Sequence, residues 1–516
     1  MKKRLKKVHP KGERKKALRV QKTNMVAVDT FGGRVQIDFD HKTPMTPYGQ
    51  LSFFIEFLKS TGLFEHWIET CPLQLTSNNA PSNRDILGTI LLSVLAGHRR
   101  YAHMTSVRND TVNPPLLGMN KIVSEDSVRR ALIKIMLDEG KAWLTNELKY
   151  CYEELLHIPW ILDVDTTVKC LYGHQEGAVV GYNPKKPGRP SHNYHTYMIA
   201  NIRMILDVEV MAGNESASSH TMPHLFNWLD ALPPEKRPYL IRGDNAFGTD
   251  EVMKACEARE QKYLFKLKQT ANVKKFIQQK MESILWCSVG DGWQGQEGRL
   301  QLMGWKKPRR VIVLRRPLKK EIGVLNKDEA THQLQFNFVT LNGDVRAYEY
   351  AVLVTNATDE IQTMGVHYRD RADSENNFDE LKNQWGWSGY TTQDLNRSAL
   401  MARMIALIYN WWTLFVRLIK SDKHLEAITS RPLLLYAVGR QIEHAGQKTI
   451  QVTSTHAEFN KVKTALIEVS HFFKTLKSFA KQLNPKDIMK QVLYRAFKKF
   501  IDSVKVHPPN LLPTSG

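Results

Sequence analysis

Cysteine is scarce in this chain and badly placed for cross-linking. Five residues out of 516 (Cys71, Cys151, Cys170, Cys256 and Cys287) stand far apart, with no C-x-x-C pair among them. That excludes a disulfide framework and a cysteine-ligated zinc module, and it fits reduced thiols packed inside a cytosolic protein. Long charge-free apolar runs are missing as well. Residues 86–97 are too few to span a bilayer, and residues 401–419 are interrupted by Arg403 and Arg417, so that stretch reads as a buried helix. The basic N-terminus lacks the apolar centre of a signal peptide. These absences predict a soluble, cytoplasmic protein with no membrane partner.

Acidic residues are the second deficit: 52 Asp and Glu stand against 73 Lys and Arg, for a formal net charge of +21 and a pI of 9.6. Such a balance favours a polyanionic partner, nucleic acid first among them, although an ordinary basic enzyme would share it. With 42% hydrophobic residues the chain can bury a large core, and its length calls for more than one domain.

No internal repeat is visible, but the character of the sequence changes along its length. Residues 1–25 form a basic arm suited to phosphate contact. Residues 26–150 read as a helical, DNA-binding domain, with caps at Thr46, Ser82 and Ser124. Within it SEDSVRRALIKI projects Arg129 and Arg130 from an amphipathic helix, as a recognition helix or a plain surface helix would. From Ile158 a strand, a Gly/Pro-rich loop and a hairpin are followed by helix 223–232, strand 239–244, helix 249–259 and strand 262–268. The order β-β-β-α-β-α-β predicts an α/β fold with a ribonuclease-H-like core, residues 151–274 and 356–400. Residues 275–355 read as an all-β insertion, and 401–516 as a helical region for packing or dimerisation. Asn410, Trp411 and Trp412 are candidates for either role.

The most informative stretch is MGVHYRDRADSENNFDELKNQWGW, where Tyr368, Arg371, Glu375 and Lys382 fall at offsets of three, seven and fourteen. At about 100° per residue they share a helical stripe roughly 60° wide. A phenol, a guanidinium, a carboxylate and an ammonium on one face suit phosphate and metal handling, although solvated helices also mix charges. Asp165 ends one predicted strand and Asp244 ends another, so neighbouring strands can bring both carboxylates together. Asp163 shares a strand face with Asp165 and competes with it; Asp373 competes less well with Glu375.

The spacing Y-(2)-R-(3)-E-(6)-K resembles the signature of bacterial cut-and-paste insertion-sequence transposases of the DDE type. DVDTTVKCLYGHQEGAVVGYNPKKPGRPSHNYH and IRGDNAFG are similar to that family's segments around its first and second catalytic aspartates. The resemblance covers residues 80–470. It implies Asp165, Asp244 and Glu375 as catalytic metal ligands for two Mg2+ ions, or Mn2+ in their place. It also implies Tyr368, Arg371 and Lys382 as phosphate grips, and a homodimer pairing two transposon ends with target DNA in the bacterial nucleoid. Lys185, Lys186 and Arg189, in the loop 172–191, can follow the DNA backbone, and His192 and His195 can touch a phosphate. Some relatives hold a flipped base on an aromatic residue of the insertion. Here Tyr348 and Tyr350 stand where a Trp is sought, and Ala372 where some relatives carry another; Trp286, Trp293 and Trp305 also lie in the insertion. A nuclease or resolvase of similar core, or a non-catalytic DNA-binding descendant, remains the alternative.

Overall fold

The computed structural model describes residues 25–506 except 41, 185, 282, 284, 318–347, 454–455 and 480–482; most of the basic arm and Lys185 therefore lie outside the described residues. The N-terminal part opens on a hairpin, β1 (Val26–Thr30) and β2 (Gly33–Ile37), followed by a short strand β3 (Met45–Thr46). Helices α1 (Leu51–Thr61), α2 (Leu63–Glu69), α3 (Asn83–Leu95), α4 (Asn113–Leu116), α5 (Glu125–Ile133) and α6 (Leu137–Tyr152) complete it. Ser82 and Ser124 cap α3 and α5 through the backbone N–H of Asp85 and Ser127. Thr46 does not cap a helix. It sits in β3, where its hydroxyl donates to Asp110 at 2.6 Å and accepts from Asn113 at 2.7 Å, and α1 begins after Gln50.

The centre of the molecule is β4 (Ile161–Cys170), β5 (Val179–Val180), β6 (Pro190–Ile199), β7 (Met204–Ala212), α7 (Ala217–Asp230), β8 (Leu240–Gly243), α8 (Asp250–Glu257) and β9 (Tyr263–Lys266). Helix α7 starts earlier than Pro223 suggested, because Ser216 caps it and the proline is carried inside. Strand β4 pairs antiparallel with β6, which pairs antiparallel with β7; on its other side β4 runs parallel to β8, and β8 parallel to β9.

Residues 275–355, expected to be an all-β unit, begin inside α9 (Ala271–Met281), where Val273, Phe276 and Ile277 bury one helical face. Strands β10 (Cys287–Gly290), β11 (Trp293–Leu300), β12 (Arg309–Pro317) and β13 (Tyr348–Thr355) then extend the central sheet. Strand β13 covers the edge of β9, pairing Leu353 with Lys266 and Thr355 with Leu264. The result is one mixed 10-stranded sheet in the order β10-β11-β12-β13-β9-β8-β4-β6-β5, with β7 also on β6. Val311, Ile312, Val313 and Leu314 are all buried, which is why that run lacks the alternation of a half-exposed strand.

Beyond it lie α10 (Ile361–Asp370), α11 (Ala372–Asn383), α12 (Leu395–Ile419), α13 (Ala427–Leu434), the hairpin β14 (Val438–His444) and β15 (Gln447–Thr453), α14 (Phe459–Phe479), α15 (Pro485–Ala496) and α16 (Lys498–Val506). Helix α12 is long and apolar enough to cross a membrane, yet it is buried in the protein. Its Arg403 reaches Asp207 at 2.9 Å, and Asn410 bonds both the N–H and the C=O of Ile205 at 2.9 and 2.7 Å. The N- and C-terminal helices share one core: Phe54 meets Trp412 and Phe415, each at 5.3 Å, and β3 pairs with β14. Asn410, Trp411 and Trp412 are buried in that core.

Candidate active site

Strands β4 and β8 run parallel with a charged pair, Asp163 and Arg242, inside their shared length, and Asp165, expected to end its strand, lies within β4, which continues to Cys170 because it goes on pairing with β6. Their parallel register runs from Ile161 beside Leu240 to Val164 beside Gly243, so Asp165 and Asp244 are the next neighbours on adjacent strands. Asp165 Oδ1 accepts the Thr166 N–H at 2.7 Å, and Asp244 Oδ1 accepts the Ala246 N–H at 2.9 Å. Arg371, between α10 and α11, donates from Nη2 to Asp165 Oδ2 at 2.6 Å. Glu375 follows one turn later on α11 and is exposed.

The charges of these groups act on one another. Burial pushes the Asp165 carboxyl up to about 6, and the charges of Asp244 and Glu375 add to that, against the Arg371 guanidinium and the Thr166 N–H. Burial acts to lower Arg371, but Asp165, Asp244, Asp163 and Glu375 together hold it above its ordinary value. Among the described residues, Asp165, Asp244 and Glu375 do not present oxygens all within 4.8 Å of one another; the Arg371 cation stands among them. Hard carboxylate oxygens, with one acid pushed up by its neighbours, are a donor set that a divalent cation relieves.

Asp163 and Asp165 differ in how their oxygens are engaged. Both Asp163 oxygens are taken by Arg242, from Nε at 2.6 Å and Nη2 at 2.7 Å, and the pair is almost wholly buried. Arg242 also donates from Nη1 to the His367 carbonyl at 2.6 Å, which fastens α10 to the sheet. Asp163 therefore braces α10, the helix that leads into Arg371. The Asp373 side chain lies outside the described residues.

Tyr368, Arg371, Glu375 and Lys382 do not lie on one continuous helix. The chain turns at Arg371, whose N–H bonds the Tyr368 carbonyl at 3.2 Å, a tightened three-residue step that separates α10 from α11. Tyr368 meets Trp293 of the insertion edge-on at 6.5 Å, while Tyr348 and Tyr350 lie against each other at 6.3 Å. Lys382 is half-buried in the last turn of α11. In the loop before β6, Lys186 and Arg189 flank the exposed Tyr172 ring, at 5.2 and 4.9 Å from its centroid. Arg129 leans on Tyr101 at 5.1 Å and pairs with Asp126, while Arg130 is exposed. His192 and His195 are both buried, with His192 bound to the Glu176 carbonyl and His195 to Thr166, so neither faces a phosphate.

Arg242 escaped the sequence reading, although an arginine inside the apolar strand IRGD was its signal. The cluster of Glu209, His220 and His224 was missed too; its only trace in the sequence is the four-residue spacing of the histidines.

A family model described as Transposase DDE domain group 1 matches residues 30–471. No curated protein matches the chain. Among solved structures, the piggyBac transposase synaptic complex with hairpin DNA is similar at 9% identity and a TM-score of 0.37, covering 87% of each chain.

Proposed function

The chain belongs to the DDE-domain transposases and is a DNA transposase, and from that premise we propose that Asp165, Asp244 and Glu375 are its catalytic carboxylates. The observation that carries the assignment is that Asp165 and Asp244 are the first residues past the parallel pairing of β4 with β8, with Arg371 bonded to Asp165 at the start of the Glu375 helix. A ribonuclease-H-like reading of the core rests on strand order: β7, β6 and β4 are successive antiparallel neighbours, and β8 and β9 add parallel beyond β4.

DDE transposases use divalent metal ions. The oxygen-only donors here favour Mg2+, with Mn2+ as a substitute, held as a pair by Asp165, Asp244 and Glu375. When bound, such ions activate the attacking hydroxyl and offset charge on the leaving oxygen. The protein's own groups position the DNA. Arg371 offers a forked donor to the phosphate beside Asp165, with Tyr368 and Lys382 further along the same segment. Water first attacks phosphorus at the element boundary, and the 3′-oxygen leaves and takes a proton. That 3′-hydroxyl then attacks a target phosphodiester, forming one phosphodiester bond as another breaks. No covalent protein–DNA intermediate is required. We assign backbone contacts to Lys185, Lys186, Arg189 and the basic arm, and synapsis of two ends to a homodimer in the bacterial cytoplasm.

The test uses linear DNA bearing the terminal repeats that flank the reading frame, with Mg2+. Wild type nicks the boundary and joins 3′ ends; Asp165→Asn, Asp244→Asn and Glu375→Gln each lose about 10³-fold or more in both steps while still binding DNA. Cleavage without joining favours a nuclease, and binding without nicking favours a non-catalytic protein. Full cleavage by any one variant removes that residue from the site.

A further inference from the structure

On the other face of β4 from Asp165, Glu209 of β7 and His220 and His224 of α7 bring three ligand atoms within 4.8 Å of one another. The two histidines are one helical turn apart on the same face of α7. Their rings stack at 4.2 Å, and His195 of β6 stacks on the other side of His220 at 4.0 Å. Glu209 is directly opposite His195 across the sheet. One oxygen of Glu209, Oε1, is used by Lys141 and by Arg403 at 3.3 Å. The other, Oε2, is approached by His220 Nε2 at 2.6 Å and by His224 Nδ1 at 3.0 Å.

Well-aligned hydrogen bonds do not account for this convergence, although His220 and Glu209 are close enough for an ion pair. His220 Nδ1 is 3.2 Å from Glu215 Oε1, and as the donor to that carboxylate it leaves Nε2 with a lone pair facing another carboxylate oxygen. The close approach is off the ring N–H direction, so His220 Nε2 and Glu209 Oε2 are both buried with no hydrogen bond. On a shared ion with bonds of about 2.0 Å, donor atoms sit about 3 Å apart and each lone pair aims at the ion, not at its neighbour. A carboxylate on the second nitrogen of a ligating imidazole, as Glu215 is here, is the usual outer support of such a ligand. His195 Nε2 is likewise buried without a hydrogen bond, while its Nδ1 bonds Thr166 Oγ1 at 3.0 Å.

We propose that Glu209, His220 and His224 bind a divalent transition-metal ion, with zinc the best chemical match for two imidazoles and a carboxylate, and with the His195 ring packed behind His220. The ion ties α7 to β6 and β7. Through His195 and Thr166 it also braces the strand one residue past Asp165, acting as a positioning element and not as part of the carboxylate site. The inference does not depend on the catalytic assignment.

Metal analysis of the full chain, loaded with zinc and dialysed against metal-free buffer, tests it. Wild type and Asp244→Asn are expected to retain about one zinc per chain. His224→Ala loses it, and His224→Asp, which restores a ligand at a half-exposed position, recovers it. In cobalt-loaded protein the ligand-field absorption of a low-symmetry site appears in wild type and vanishes in His224→Ala. Wild type without zinc after loading, or equal zinc in wild type and folded His224→Ala, overturns the proposal.

Discussion

Replacing Asp163 with alanine leaves Arg242 without its counter-charge. That guanidinium is 1% exposed, and it spends two of its donors, at 2.6 and 2.7 Å, on the carboxylate that would be lost. Breaking a buried ion pair by removing one partner costs about 3–5 kcal/mol, because the remaining charge is desolvated and uncompensated. Asp165→Ala is the contrast: it removes a carboxyl already pushed up to about 6 by burial and by Asp244 and Glu375, so it relieves repulsion even as it takes a partner from Arg371. Two aspartates two residues apart on one strand face therefore have opposite signatures. Asp163→Ala is expected to lower unfolding stability by several kcal/mol and to keep stabilisation by Mg2+; Asp165→Ala is expected to hold stability and lose that response. Urea unfolding followed by tryptophan fluorescence, with and without Mg2+, reads both. The double change Asp163→Leu with Arg242→Met, which leaves no charge unpaired, should recover most of the loss. If Asp163→Ala unfolds within about 1 kcal/mol of wild type and no longer responds to Mg2+, the reasoning is refuted and Asp163 is the ligand.

The pH dependence follows from the same carboxyl. Because its folded value lies above the unfolded one, folding takes up a proton between about pH 4 and 6, and the penalty is complete above about 6. Metal-free Asp165→Asn should therefore be more stable than wild type at pH 8 by about 2–3 kcal/mol, and equal to it below pH 4; an equal gap at both pH values would count against the shift. Asn410→Leu should cost about 2–4 kcal/mol, since it leaves the buried Ile205 N–H and C=O unpaired, and a loss under 1 kcal/mol in urea would contradict that. Lys186→Ala and Arg189→Ala should each reduce the slope of log affinity against log salt by about one on transposon-end DNA; an unchanged slope removes the loop from the interface.

The aspartates were legible as candidates because each follows a short buried stretch, but Asp165 was expected to end its strand and lies inside β4, whose pairing with β6 carries it on to Cys170. The preference for Asp165 over Asp163 came from resemblance; the pairing that occupies Asp163 was not legible, because its partner Arg242 lies 79 residues further along the chain. The stripe of Tyr368, Arg371, Glu375 and Lys382 assumed a uniform turn per residue, and the tightened step at Arg371 broke that assumption while keeping Arg371 and Glu375 near the same aspartates. Residues 275–355 were read as an all-β insertion, but whether their strands form a sheet of their own depends on what covers the edge of β9, a long-range pairing that local pattern does not encode. Arg403 and Arg417 argued correctly against a membrane helix, yet Arg403's partners Asp207 and Glu209 come from β7, almost 200 residues earlier. The local pattern thus specifies which chemistry is present. Its assignment to one carboxylate among several depends on which distant cation neutralises the others: Arg242 engages Asp163, Lys141 and Arg403 engage one oxygen of Glu209, and Asp165 is left facing Asp244, Glu375 and a single guanidinium.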